Sequence, residues 1–220
     1  MTARRNYERD QALSPFTPVL AELCRASGAC SAALVDQEGE TVDYAGRGDP
    51  FEIRVLAAEL RLLLQHTKPT VHFSRTSSLM IRARRGSFFI LSLPEGYALV
   101  VRLGRRAAGI SERCLSIAVR ELCEEAGFSS PRSRRSDLPP GVEPPRQWRR
   151  VRVEVEEGQT RRPRAVETNA GLASVEVMGR VAGEGSRREQ GFRVRLTNGE
   201  EGTLVRERLG RWYLEEDLWE

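Results

Sequence analysis

The chain has 220 residues, enough for one large domain or two small ones, each able to bury a core. Charged residues make up 30% of it, yet the formal net charge is only +4, which describes a globular protein with a solvated surface of mixed sign. The first ten residues are polar, so no signal-peptide pattern opens the chain, and the apolar runs are far too short for a bilayer. A cytoplasmic location without membrane insertion is the expectation. The basic residues are arginine save for Lys68, and acids are interspersed among them along the chain. Nucleic-acid binders carry a basic stripe with interleaved aromatics, so nucleic acid is not an expected partner. Cys24, Cys30, Cys114 and Cys123 lack zinc or redox spacing and stand apart from His66 and His72. They read as small buried hydrophobes, with no metal or cofactor implied.

Residues 1–13 read as a disordered start. Ser14-Pro15 opens a helix, since serine caps and proline suits the first turn. Phe16, Leu20, Leu23, Cys24 and Ser27 recur at helical spacing, and Gly28 closes the element. Residues 29–35 form a buried strand, Asp36-Gln37-Glu38-Gly39 a hairpin turn, and 41–45 the returning strand.

Pro50 opens a second helix running to about residue 66. At about 100° per residue, Ile53, Leu56, Leu60, Leu63 and Leu64 gather on one side. Phe51, Val55, Ala58 and Leu62 gather on the other, and polar residues fill both seams. A helix lying on its own sheet needs one apolar stripe. The second stripe is either buried inside a single larger core or covered by another molecule. So few elements remain in this part of the chain that association is the expectation, and a two-fold dimer would set the helix against its own copy.

Strands follow at 78–84, 87–93 and 97–103, and a closing helix at 110–126 ends on Gly127. The stretch 128–147 holds Pro131, Pro139, Pro140, Pro144 and Pro145 among serines and arginines, which makes an extended linker. All three tryptophans, Trp148, Trp212 and Trp219, lie beyond it. There the pattern is strands: 149–156 with alternating valines, 173–181, 192–196, an Asn198-Gly199 hairpin, 203–208 and 212–214. Residues 148–220 therefore read as a small antiparallel meander whose tryptophans fill a thin core.

No convergent catalytic set emerges. Gly104 to Ser111 outlines a phosphate loop, but Ile110 stands where its lysine is required. Histidine pairs at helical spacing and a Gly-x-Ser-x-Gly elbow are both missing from the sequence, so a non-enzyme is expected.

The order of elements over 14–127 resembles the Roadblock/dynein-light-chain family, in particular bacterial members that partner a gliding-motility GTPase. The first helix, the hairpin over 29–39, the two-faced helix 51–66, the strands at 78–83, 88–93 and 97–103, and the helix 110–126 carry the likeness. The resemblance implies an α+β fold of order α-β-β-α-β-β-β-α. Its five-stranded antiparallel sheet would have the first and last helices on one face and the central helix on the other. It further implies a homodimer joined through the central helix and the neighbouring strand, acting as a regulator or docking platform for a small Ras-like GTPase in polarity or motility. Phe51, Arg54, Val55, Ala58, Arg61, Leu62 and Gln65 are the positions expected to face the twin subunit or the GTPase. The alternative is an adaptor that dimerises and presents its C-terminal β domain to another protein without binding a GTPase. The long connection 66–78, the linker and the tail have no counterpart in the family pattern.

Overall fold

The computed structural model describes residues 9–67, 69–72, 74, 76–84, 86–104, 110–128, 147–156, 161–169, 171–181, 189–207 and 209–215. Most of the expected linker, the residues 105–109 and Trp219 lie outside this set. Two compact units divide the chain, Met1–Arg132 and Ser133–Glu220.

In the first unit, α1 (Phe16–Ser27) leads into β1 (Ser31–Val35) and β2 (Thr41–Gly46). The turn between the strands is built by Asp36, whose Oδ1 accepts the N–H groups of Glu38 and Glu40, both at 2.9 Å. Gly39 supplies the positive φ this turn requires. After α2 (Pro50–Thr67) come β3 (Ser78–Ala83), β4 (Gly86–Ser92), β5 (Ala98–Leu103) and α3 (Glu112–Glu125). Ser111 caps α3 by accepting the Cys114 N–H.

The strands form one antiparallel sheet of order β2-β1-β5-β4-β3. Alternation along β1 divides its side chains between two cores. Ala33 and Val35 join Tyr44, Ile90, Ala98 and Val100 beneath α2. Ala32 and Leu34 point to the opposite face, where α1 packs on β1, β2 and α3. The fold is α+β, and the outer helices share one face as the resemblance implies. Cys24, Cys114 and Cys123 are buried and Cys30 half-buried, as small hydrophobes are. Burial pushes the Cys24 thiol up to about 12, which removes it from nucleophilic chemistry.

Residues 9–13 depart from the disordered start expected of 1–13. Gln11 Nε2 donates to the Val42 carbonyl at 2.8 Å, and Arg9 donates to the Tyr44 carbonyl, so two carbonyls of the edge strand β2 are taken by side chains. Arg9 also pairs with Asp43 and lies over the Tyr44 ring. The Asp43 side chain is fully shielded, and it accepts from the Ser14 hydroxyl, from Thr17 Oγ1 at 2.6 Å and from the Tyr44 N–H. Polar residues read as an unstructured leader thus become partners of a buried carboxylate. Ser14, besides donating to Asp43, accepts the Phe16 N–H at 3.1 Å at the start of α1.

The second unit is all strand: β6 (Trp148–Val151), β7 (Val153–Val155), β8 (Pro163–Thr168), β9 (Gly171–Val181), β10 (Gln190–Leu196), β11 (Glu201–Arg206) and β12 (Trp212–Glu215). Their order is β6-β12-β11-β10-β9-β8-β7. The first and last members are successive halves of one run, parted at Arg152, so the expected meander closes into a small barrel and has no long free edge among the described residues. The Arg152 carbonyl accepts the Glu167 N–H at 2.9 Å across that seam. Val151, Val166, Phe192, Val194, Leu196, Leu204, Trp212 and Leu214 fill the interior. Phe192 and Trp212 stack with centroids 5.8 Å apart. Trp148 is buried too.

Burial pushes the Asp43 carboxyl up, but the bonds from Ser14, Thr17 and Arg9 outweigh it and hold the group below the usual carboxylate range. A depressed folded value means the stabilisation is present above about pH 4 and is lost as pH falls through the folded pKa. Asp43→Asn is expected to lower the unfolding free energy by about 1–3 kcal/mol at neutral pH. In urea titrations between pH 2 and 7 the variant should also show a shallower loss in acid than the wild type. Equal curves would contradict this account of the network.

Candidate functional site

Helix α2 begins where Asp49 accepts the Phe51 N–H through its side chain at 2.9 Å and the Ile53 N–H through its carbonyl at 3.1 Å. Proline at the first helical position costs no hydrogen bond there. Ile53, Ala57, Leu60 and Leu64 are buried against the sheet, with Leu56 partly buried beside them. The opposite side is open. Phe51 is 67% exposed, Leu62 54% and Val55 40%, and half-buried Ala58 sits among them. Three large apolar side chains aligned along one helix face are what a contact surface presents.

Leu63, expected on the inward stripe, is 49% exposed instead. Its angular position is next to that of Glu52 and Glu59, neither of them buried, so the inward stripe is narrower than the leucine count suggests. Ala57, fully buried, closes the core face on its other side. The open strip therefore holds Phe51, Val55 and Leu62, and Leu63 is exposed across the Glu52–Glu59 seam from it.

The polar candidates do not share that surface equally. Arg54 pairs with Asp10 at 2.6 Å, both side chains being about two-fifths exposed, so this is a solvated ion pair. Asp10 also accepts the Tyr44 hydroxyl at 2.7 Å. That hydroxyl, followed by Arg54, holds the Asp10 carboxyl below its ordinary value. Arg61 is buried, which corrects its expected place on the contact surface. Its guanidinium donates to the Gly96 carbonyl at 2.5 Å, and its Nε has no hydrogen-bond partner among the described residues. Burial lowers its pKa, with the Asp36 charge partly offsetting the effect. Arg61 lies next to Ala57 around the helix, at the border of the core, and two turns close over it. Gln65, one turn on, donates to the Gln37 carbonyl at 3.0 Å. Arg61 and Gln65 thus tie the β1–β2 and β4–β5 turns to the helix. On the far flank Glu52 meets Arg102 at 3.4 Å.

The two edges of the sheet differ. β2 has its outer carbonyls occupied by Gln11 and Arg9, whereas β3, at the other end of the strand order, has no strand beyond it among the described residues. Met80 on β3 is 38% exposed. An open edge strand is a template for pairing unless it is blunted.

Among solved structures, MglB from Myxococcus xanthus is similar over 53% of this chain and 98% of its own, at 17% identity and a TM-score of 0.46. The gliding protein MglB from Thermus thermophilus is similar over 55% and 98%, at 21% identity and a TM-score of 0.44. A Roadblock/LC7 domain from Streptomyces avermitilis is similar over 50% and 89%, at 17% identity and a TM-score of 0.37. These neighbours are MglB and Roadblock/LC7 proteins, and the C-terminal part of the chain is unmatched by them. The fold assignment rests on the strand order and helix placement of the chain itself. No family model matches the sequence, and no curated protein matches it. Among the described residues no group of histidine, cysteine, aspartate or glutamate side chains is arranged to hold a metal ion, and no helix is long and apolar enough to cross a membrane.

The two arginines separate cleanly by mutation. Arg54→Ala removes an exposed pair and should change the unfolding free energy by less than about 1 kcal/mol. Arg61→Ala leaves the Gly96 carbonyl without its donor and a gap under two turns, at a cost of about 1–3 kcal/mol. Chemical denaturation of both variants checks the order, and a larger loss for Arg54→Ala would overturn the assignment.

Proposed function

We propose that this chain is a non-catalytic homodimeric docking platform for a small Ras-like GTPase, acting in cell polarity or motility. The observation that carries the reading is the open apolar strip of Phe51, Val55 and Leu62 on a helix whose other side is already committed to its own core. A strip so placed favours association with a second copy of the chain. The choice of a GTPase as the further partner comes from the resemblance of residues 14–127 to Roadblock domains. The gliding protein MglB of Thermus thermophilus, among the similar structures, is consistent with that choice.

In this reading the chain contributes surface rather than chemistry. Arg61 is buried and held by Gly96, so it is not free to reach a transferring phosphate. Arg54 is accessible but already neutralised by Asp10. Any stimulation of hydrolysis would then arise from ordering the GTPase's own switch loops.

The test is a pull-down of the host's small Ras-like GTPases on the full chain, with GDP and with a non-hydrolysable GTP analogue. Retention that depends on the nucleotide and is lost in Val55→Glu/Leu62→Glu is expected. No retention in either state, from a protein that light scattering finds dimeric, would refute the GTPase reading and leave an adaptor that presents its C-terminal barrel to another protein. Stimulated hydrolysis abolished by Arg54→Ala alone, with binding intact, would contradict the account of catalysis.

A further inference from the structure

The segment 9–13 sits where a strand pairing with β2 would have to sit. Backbone groups of alternate residues turn to opposite edges of a strand. Just past β2 the Arg47 N–H donates to the Cys30 carbonyl at 2.7 Å, so the odd-numbered residues face β1, and Val42 and Tyr44 turn outward. Both outward groups of Tyr44 are taken. Its carbonyl accepts from Arg9, and its N–H donates to the Asp43 carboxylate at 2.6 Å. The Val42 carbonyl accepts from Gln11 Nε2 at 2.8 Å. An incoming strand would use these same backbone groups, so strand and segment exclude one another.

Arg9 is the centre of this covering. Its guanidinium donates to the Gln11 carbonyl at 2.7 Å and to the Ala12 carbonyl at 3.2 Å, which folds the segment around it. It also pairs with Asp43, reaches Thr17 Oγ1 at 3.4 Å, and lies 4.6 Å from the centroid of the Tyr44 ring. Asp10 adds contacts to the Tyr44 hydroxyl at 2.7 Å and to Arg54 at 2.6 Å. Yet no residue from 9 to 13 is buried, and Leu13, the one large apolar side chain among them, is 77% exposed. Polar contacts hold the segment, and hydrophobic burial does not. Segments with few buried apolar contacts open at a free energy below that of the whole domain. When Arg9 leaves, Asp43 still accepts from Ser14, Thr17 and the Tyr44 N–H, so the sheet beneath keeps its support.

The exposed edge would suit a second copy of itself. A two-fold axis beside β2 sets the strand antiparallel to its twin, and such a contact needs no other surface. Thr41, Val42 and Tyr44 are the β-branched and aromatic types that favour cross-strand pairing. The single charge of β2, Asp43, is bound at the start of α1 by Ser14 and Thr17, so no free carboxylate opposes its twin.

We propose that residues 9–13 form a latch over β2, an autoinhibitory contact whose release lets β2 pair antiparallel with β2 of a second copy. This association uses β2 and the one proposed above uses α2, so either can fail without the other.

The test is multi-angle light scattering of the full chain across a hundredfold concentration range, comparing wild type with Arg9→Ala/Gln11→Ala. At the upper end the variant should reach about twice the wild-type mass or more, whether the wild type is a monomer or a dimer. Adding Val42→Pro removes an outward N–H while sparing the ladder to β1, and should return the mass to the wild-type value. Where circular dichroism finds Arg9→Ala/Gln11→Ala unfolded, Arg9→Ala/Gln11→Ala/Asp43→Asn, which leaves no unpaired charge, is read in its place. A folded variant of wild-type mass, a gain that survives Val42→Pro, or loss of the fold in both variants would overturn the proposal. A monomeric wild type whose variant doubles would support the latch and count against the α2 dimer.

Discussion

Helix α2 can bury only one of its two apolar sides. Ile53, Ala57, Leu60 and Leu64 commit one side to β1, β2, β4 and β5, and that packing fixes the height and rotation of the helix on the sheet. Once the rotation is fixed, Phe51, Val55 and Leu62 face away from the chain's own core. Arg61 and Gln65 reinforce the same rotation by binding the Gly96 and Gln37 carbonyls of two adjacent turns. The outward strip is therefore a consequence of how the core is satisfied, and its chemistry is set by side chains that the core does not use.

The same economy governs the sheet edges. Arg9 and Gln11 occupy outward carbonyls of β2, and Arg9 simultaneously neutralises Asp43, which would be costly to bury with its charge unpaired. Asp10, the next residue, links the same segment to Tyr44 and to Arg54 on α2. One edge is thus closed by a short stretch of chain that also touches the flank of the open strip, while β3 at the opposite edge carries no such cover among the described residues. The asymmetry favours pairing at β3 over pairing at β2. In the barrel the solution is different, because closing β6 and β7 onto the two ends of the sheet leaves no long edge to protect.

Much of the first unit is legible in the sequence because its signals are local. Gly28 ends α1, Asp36 and Gly39 make the first hairpin, Ser111 caps α3, and the leucine spacing of α2 marks two faces. What the sequence hides is non-local. The polar residues 9–13 look unstructured until Asp43, buried some thirty residues later, gives Arg9 a partner. Arg61 reads as a surface charge because nothing near it in sequence announces that two turns will fold over it. β8 escapes notice because Ala165 and Val166 stand as an isolated apolar pair among arginines, a proline and polar neighbours. Without β8 the barrel cannot be seen to close, since closure requires β7 to have a partner other than β12.

The outward strip of α2 is, on this account, covered by a second copy of the chain. Multi-angle light scattering of the full chain across a hundredfold concentration range tests that most directly, run beside Val55→Glu/Leu62→Glu. The account predicts twice the chain mass of 24.7 kDa for the wild type and the single-chain mass for the variant, with both folded to the same degree by circular dichroism. A wild type that stays monomeric throughout, or a variant that stays dimeric, would contradict it.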